Sequence, residues 1–170
     1  AARLVQPGMT LTLDTGTTTL ETARAMAGVA DLTVLTSSLA IASALYGRPN
    51  IALVLAGGAV RQGSPDLSGW LTEENLKQFR VDLAFIGCDG ADREGAFTTD
   101  VNIARVSQAM IASANETVLV ADKSKFEKPA FVRFAKWRDI DRVVTTSGAP
   151  SKTRKWLEKA VKQVAYAKPE

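Results

Sequence analysis

Polar and apolar positions change their period repeatedly along this chain. Residues 9–13 alternate apolar with hydroxyl side chains, which suits a strand. Asp14, Thr15 and Gly16 break the alternation. From Thr18 onward, Leu20, Ala23, Met26 and Ala27 fall on one helical face, with Gly28 as the C′ glycine. The same grammar recurs. Residues 32–35 read as a second strand, and Leu39, Ile41, Ala42 and Leu45 as a helix stopped at Gly47 with Pro49 beyond. Residues 51–55 are a continuous apolar run, as in a strand covered on both faces. After the polar loop 61–66, a helix over 69–78 is expected, with Trp70, Leu71, Leu76 and Phe79 as core contacts.

Residues 83–86 read as a fourth strand, followed by a glycine- and charge-rich loop. Asp100 is placed to cap a helix over 101–114, with Ile103, Val106, Met110 and Ile111 inward. Residues 117–121 are a fifth strand, 131–134 a short edge strand and 142–145 a sixth core strand. A last helix runs from Ser151 to about Ala165. Strands alternating with helices predict one domain over 1–170, a three-layer, Rossmann-like, doubly wound and mainly parallel α/β sheet. No low-complexity linker or internal repeat divides it.

Composition narrows the chemistry. The 170 residues suffice for a substantial core, and 46% hydrophobic with 23% charged is an ordinary balance. No apolar run approaches a membrane span and no signal peptide is visible, so a cytoplasmic protein without membrane contact is expected. One cysteine excludes an internal disulfide and a cysteine-based zinc site. With no histidine, the commonest general base and metal ligand are missing. The net charge of +3 comes from 21 basic and 18 acidic residues, a balance that does not force nucleic-acid binding. The opening Ala1-Ala2-Arg3 lacks a methionine, so a missing N-terminal part is expected.

In doubly wound sheets, ligands sit beyond the carboxyl ends of the strands. Those ends hold Asp14 to Thr19, then Thr36, Ser37 and Ser38, Gly57 and Gly58, Asp89 to Asp92, Asp122 to Lys125, and Thr145 with Thr146. Gly16, Thr17, Thr18 and Thr19 open a helix after a tight turn, which presents unpaired N–H groups, hydroxyls and the positive end of the helix dipole to an anion. The plainer alternative is that Thr17 or Thr18 only caps the helix. Asp89 and Asp92, three apart across Gly90, offer two carboxylates for sugar hydroxyls, acid–base work or a metal, or else Asp89-Gly90 is only a turn. Lys123 and Lys125 are candidate anion ligands at the rim, or solvated lysines. Cys88 reads as a packed residue. The basic terminal helix, with Lys152, Arg154, Lys155, Lys159 and Lys162, reads as a solvated face. No G-x-x-x-x-G-K-[ST] or G-x-G-x-x-G motif is present, so neither a P-loop nor a dinucleotide cofactor is indicated.

In order, Asp14-Thr15-Gly16-Thr17-Thr18-Thr19, Thr36-Ser37-Ser38, Gly57-Gly58, Asp82-Leu83-Ala84-Phe85-Ile86-Gly87, Asp89-Gly90, Thr98-Thr99 and Ala121-Asp122-Lys123-Ser124-Lys125-Phe126 resemble the C-terminal effector-binding domain of the DeoR family of bacterial transcriptional repressors. The resemblance runs over about 9–150. More distantly, it extends to ribose-5-phosphate isomerase and related sugar-phosphate isomerases and CoA transferases. It implies that fold, a phosphorylated sugar or related phosphorylated metabolite as effector, no cofactor, an N-terminal winged helix-turn-helix that alone contacts DNA, and a homo-oligomer. By position it puts phosphate on Gly16 to Thr19 and the rest of the ligand near Ser37, Ser38, Asp89, Asp92 and Lys125, with Thr36, Gly57, Gly58, Gly90, Thr98 and Lys123 around them. Asp14 sits awkwardly beside a phosphate and is expected on a hydroxyl or on loop amides.

The alternative is a sugar-phosphate isomerase. Such enzymes resemble this chain in Asp89-Gly90-Ala91-Asp92 but use a glutamate base where a gapless count puts Ser107. A serine without a partner base cannot move a carbon-bound proton, so a binding domain is favoured over an enzyme. A third reading is an interaction module without a ligand. Where the family commonly has Glu-x-Lys, this chain has Arg105-Val106-Ser107. An Arg105 facing the pocket would favour an effector with a second negative group, such as a phosphorylated sugar acid.

Overall fold

The computed structural model describes residues 1–128 and 130–167. Its main sheet has seven parallel strands in the order β12-β11-β9-β6-β1-β2-β3. These are β1 (Thr10–Leu13), β2 (Leu32–Thr36), β3 (Ile51–Leu55), β6 (Val81–Ile86), β9 (Ala114–Val120), β11 (Arg142–Thr146) and β12 (Gln163–Ala167). The helices are α1 (Thr17–Met26), α2 (Leu39–Leu45), α3 (Trp70–Leu76), α4 (Val101–Ser113) and α5 (Ser151–Ala160). A short hairpin pairs β4 (Ala59–Val60) with β5 (Leu67–Ser68). An antiparallel sheet of β7 (Gly90–Asp92), β8 (Gly95–Thr98) and β10 (Val132–Ala135) flanks α4.

Strand alternation splits the core into two layers. Leu83 and Phe85 join Leu11, Leu13, Ala23, Met26 and Ile41 on the α1–α2 side. Ala84 and Ile86 join Leu76, Val106, Met110 and Leu157 on the other. Each fully buried leucine or phenylalanine contributes roughly 1.5–3 kcal/mol. This is the three-layer, doubly wound α/β fold that the alternation predicts.

Several local expectations differ. The apolar run of β3 is not covered on both faces. β3 is an edge strand of this sheet, and Leu55 is 43% exposed. On α3 only Leu76 of the expected core contacts is buried, while Trp70 is 71% exposed and Leu71 and Phe79 also face outward. Its inward positions are Thr72, whose hydroxyl donates to the Gly57 carbonyl, and Glu73. The stretch read as a loop after β6 is the β7–β8 hairpin. The last helix stops at Ala160, and Gln163–Ala167 is a strand. That segment alternates at period 2, and the free edge of β11 gives its backbone partners that a helix would not need. Gly28 follows the C-cap Ala27 of α1 without a left-handed φ. The positive φ falls on Asp31 instead.

Candidate functional site

A cavity of about 300 Å³ opens beyond the carboxyl ends of β1, β6 and β9. It lies where the strand order reverses, since the chain proceeds from β1 through β2 to β3 in one direction and from β6 through β9 to β11 in the other. Backbone connections diverge there and leave a crevice, the usual ligand position in such sheets.

The β1–α1 turn forms one wall. Gly16 is the N-cap of α1 with φ of 120°, a left-handed value that other residues adopt only with strain, and no side chain caps the helix. Thr17 and Thr18 therefore do not act as the cap. The first intrahelical bond runs from Leu20 N–H to the Gly16 carbonyl, so the N–H groups of Thr17, Thr18 and Thr19 lack intrahelical acceptors at the cavity wall. The Thr19 hydroxyl donates back to the Gly16 carbonyl and stiffens the turn.

Asp14 is buried at the cavity floor. Its Oδ1 accepts Thr15 N–H at 2.8 Å, and its Oδ2 accepts Gly87 N–H at 3.3 Å and the Ser107 hydroxyl at 3.4 Å. Burial pushes its carboxyl up to about 7, against the pull of those three hydrogen bonds and with a further push from the Asp66 charge. Asp89 behaves oppositely. Burial alone would raise it, but the Thr99 N–H and the hydroxyls of Thr98 and Thr99 converge on Oδ2 and, with the Lys125 charge, hold it below the usual carboxylate range. The two carboxyls thus differ in proton affinity within one cavity. Burial pushes the Cys88 thiol up to about 12, which suits a packed residue rather than a nucleophile.

At the rim, Arg61 reaches in from the β4–β5 loop. Its Nε and Nη2 bind the two oxygens of Asp66 at 2.8 and 2.9 Å, and Nη1 meets Asp100 at 3.4 Å. Asp66 is fully buried; burial would raise its carboxyl, but Arg61, the Ser64 hydroxyl and the facing Thr15 hydroxyl hold it low. Asp100 also accepts the Asn102 and Ile103 N–H groups as the N-cap of α4.

Of the residues singled out from sequence, Asp14, Gly16, Thr17, Thr18, Thr19, Asp89, Thr98 and Lys125 line this cavity. The others lie elsewhere. The Thr36 hydroxyl donates to the Leu13 carbonyl, Ser38 caps α2, and Ser37 is buried between them and the β5 segment. Gly57 and Gly58 pack against Asn75 and Thr72 of α3. Gly90 is needed for packing, because a Cβ there would stand 2.2 Å from the Lys128 carbonyl oxygen. Asp92 closes the β7–β8 turn by accepting Glu94 N–H. Lys123 is exposed beside Gly148. Arg105 is 60% exposed and paired with Glu73 at 3.0 Å outside the cavity. On α4 the cavity-facing positions are Ile103 and Ser107, four apart. Arg105, two residues from each, is turned about 200° away.

Sequence reasoning missed Thr15, Arg61, Gly87, Thr99, Asp100 and Ser107 as lining residues. Arg61 follows Gly57-Gly58 in a polar loop with no local pattern to mark it. Asp100 was legible only as a cap, and Ser107 only as a replacement. Among the described residues, no group of three or more His, Cys, Asp or Glu is arranged to hold a metal, and no helix is long and apolar enough to cross a membrane.

Residues 1–147 match the family described as the DeoR C terminal sensor domain. A putative aga operon transcriptional repressor of Escherichia coli O157:H7 is 32% identical over 161 residues, covering 94% of this chain and 60% of the relative. The glycerol-3-phosphate regulon repressor of Escherichia coli K12 is 31% identical over 150 residues, covering 88% and 60%. The chain thus spans about 60% of the length of these curated relatives. In fold it is similar to translation initiation factor eIF-2B of Pyrococcus horikoshii, at a TM-score of 0.54 and 14% identity over 84% of this chain and 58% of that one. It is also similar to ribose 5-phosphate isomerase A of Neisseria gonorrhoeae, at 0.53 and 12% over 74% and 48%.

Proposed function

The chain belongs to the DeoR C-terminal sensor domain family, a family of transcriptional regulators rather than enzymes, and we propose that its cavity binds a phosphorylated sugar or polyol whose occupancy adjusts the DNA affinity of the whole regulator. The observation that carries this reading is the β1–α1 turn. Three amides without intrahelical acceptors sit at the positive end of a helix dipole on the wall of a polar cavity. The phosphate takes the turn 16–19, with Lys125 adding charge at the rim. Hydroxyls of the ligand body go to Asp89 and Ser107. The glycerol-3-phosphate regulon repressors among the relatives support a small phosphorylated polyol. A second anionic group has little support, because Arg105 points away and the Arg61 guanidinium is already held by Asp66 and Asp100.

In this reading, DNA is contacted by a helix-turn-helix domain outside this chain, and the regulator works as a homo-oligomer. Ligand and operator then share a coupling free energy that acts equally on both affinities. The isomerase reading lacks the glutamate base expected at position 107, where Ser107 faces Asp14 in the cavity instead.

Thermal-shift titration with a panel of phosphorylated sugars and polyols tests the proposal. A ligand at a hundredfold its Kd adds about 2.7 kcal/mol of stability. Thr17→Glu places a carboxylate on the exposed first turn and is expected to remove that shift without lowering the melting temperature of the free protein. A panel without any shift, or an unchanged shift in the variant, refutes the site.

A further inference from the structure

We propose that Asp14 takes up one proton when an anion occupies the turn 16–19, and that the resulting carboxylic acid donates a hydrogen bond to a ligand oxygen. The inference rests on the anion-site reading above and adds its proton linkage. The proton comes from solvent and is returned on release, and no other bond forms or breaks.

The geometry carries the argument. Asp14 ends β1 two residues before Gly16, and its carboxyl lines the same cavity as the three open amides. It accepts only the Thr15 and Gly87 N–H groups and the Ser107 hydroxyl, and among the described residues no lysine or arginine pairs with it. The other charged groups around it do not compensate. Asp66 from the β4–β5 loop is a like charge, and Arg61 from that loop is taken up by Asp66 and Asp100 at the start of α4. From the end of β6 come Asp89, an anion, and Cys88, a neutral thiol. Lys125, beyond β9, is shared with Asp89. The first turn of α1 holds no acidic residue, and its side chains are threonines. An incoming dianion is therefore added to a buried carboxylate that no lysine or arginine among the described residues pairs with. Protonation of Asp14 removes that repulsion and turns an acceptor into a donor for an acceptor-rich ligand. The carboxyl is poised for this, since burial already places it near 7.

Sulfate is the probe, because it keeps both charges through the neutral range and cannot itself take the proton. Isothermal titration with sulfate in two buffers of different ionisation enthalpy, at about pH 8, is expected to show uptake of about one proton per bound anion. Affinity is expected to fall by up to about tenfold per pH unit above about pH 7. Asp14→Asn should bind sulfate with a flat profile and no uptake. With no histidine in the chain, uptake that disappears in the asparagine variant is assigned to Asp14. The buffer measurement needs only the wild-type protein, so it decides even if the variant folds poorly. Binding without proton uptake, or the same uptake in Asp14→Asn, overturns this inference alone. Absence of sulfate binding at about pH 6 overturns the anion site and the inference with it.

Discussion

The Ser107 hydroxyl stands 3.4 Å from Oδ2 of Asp14, joining the middle of α4 to the end of β1 across 93 residues of sequence. A carboxylate at 107 would confront Asp14 in a closed cavity, whereas serine satisfies it. The β1–α1 turn and α4 are thus tuned to each other.

Asp14 sets a pH dependence of stability. Its folded value near 7 lies above the ordinary 3.8, so its stabilising contribution is fully present below about pH 4 and is lost as pH rises through about 7. Relative to Asp14→Asn, wild type should lose up to about 1.4 kcal/mol per pH unit across that window. Chemical denaturation of both proteins at several pH values measures it, and parallel profiles would contradict the assignment.

Arg61 and Arg105 should separate cleanly. Arg61→Ala leaves the fully buried Asp66 without its fork and should cost about 2–3 kcal/mol, less than a fully buried pair because Arg61 is itself a third exposed. Arg105→Ala loses a pair whose arginine is exposed but whose Glu73 is buried, and should cost about 1–2 kcal/mol with no change in ligand affinity. Denaturant midpoints and a ligand titration check both, and an affinity change in Arg105→Ala would bring that residue back to the site.

Gly90→Ala should destabilise by about 1–3 kcal/mol through overpacking, since its Cβ would meet the Lys128 backbone at 2.2 Å. Because Gly90 lies outside the cavity, ligand affinity of the folded fraction should hold. A neutral substitution would show that the β7 edge yields.

No turnover of ribose 5-phosphate is expected above background, because position 107 carries a serine where the isomerase reading needs a glutamate base. A coupled assay at high protein concentration checks this, and measurable isomerisation would restore the enzymatic reading.

Much of the architecture was legible in the letters because it follows from local periodicity. Alternation in 9–13, helical spacing after Thr18 and Gly47 just past the end of α2 mark strand and helix identity, and the alternation of these elements implies a parallel sheet. The turn at Gly16 was equally readable, because an N-terminal amide cluster is a property of a few consecutive residues. Tertiary structure decided what depends on neighbours far along the chain. It made β3 an edge, turned Trp70 to solvent, and recruited 163–167 to pair with β11 instead of extending α5. It also chose which charges meet in the cavity. A gapless count could name Arg105 and Ser107, but a helix turns 100° per residue, so only Ser107 faces the ligand space while Arg61 arrives from a loop that no periodicity constrains. The proton affinity of Asp14 is likewise a tertiary property, since it is set by burial that β6, α4 and the β4–β5 loop supply together.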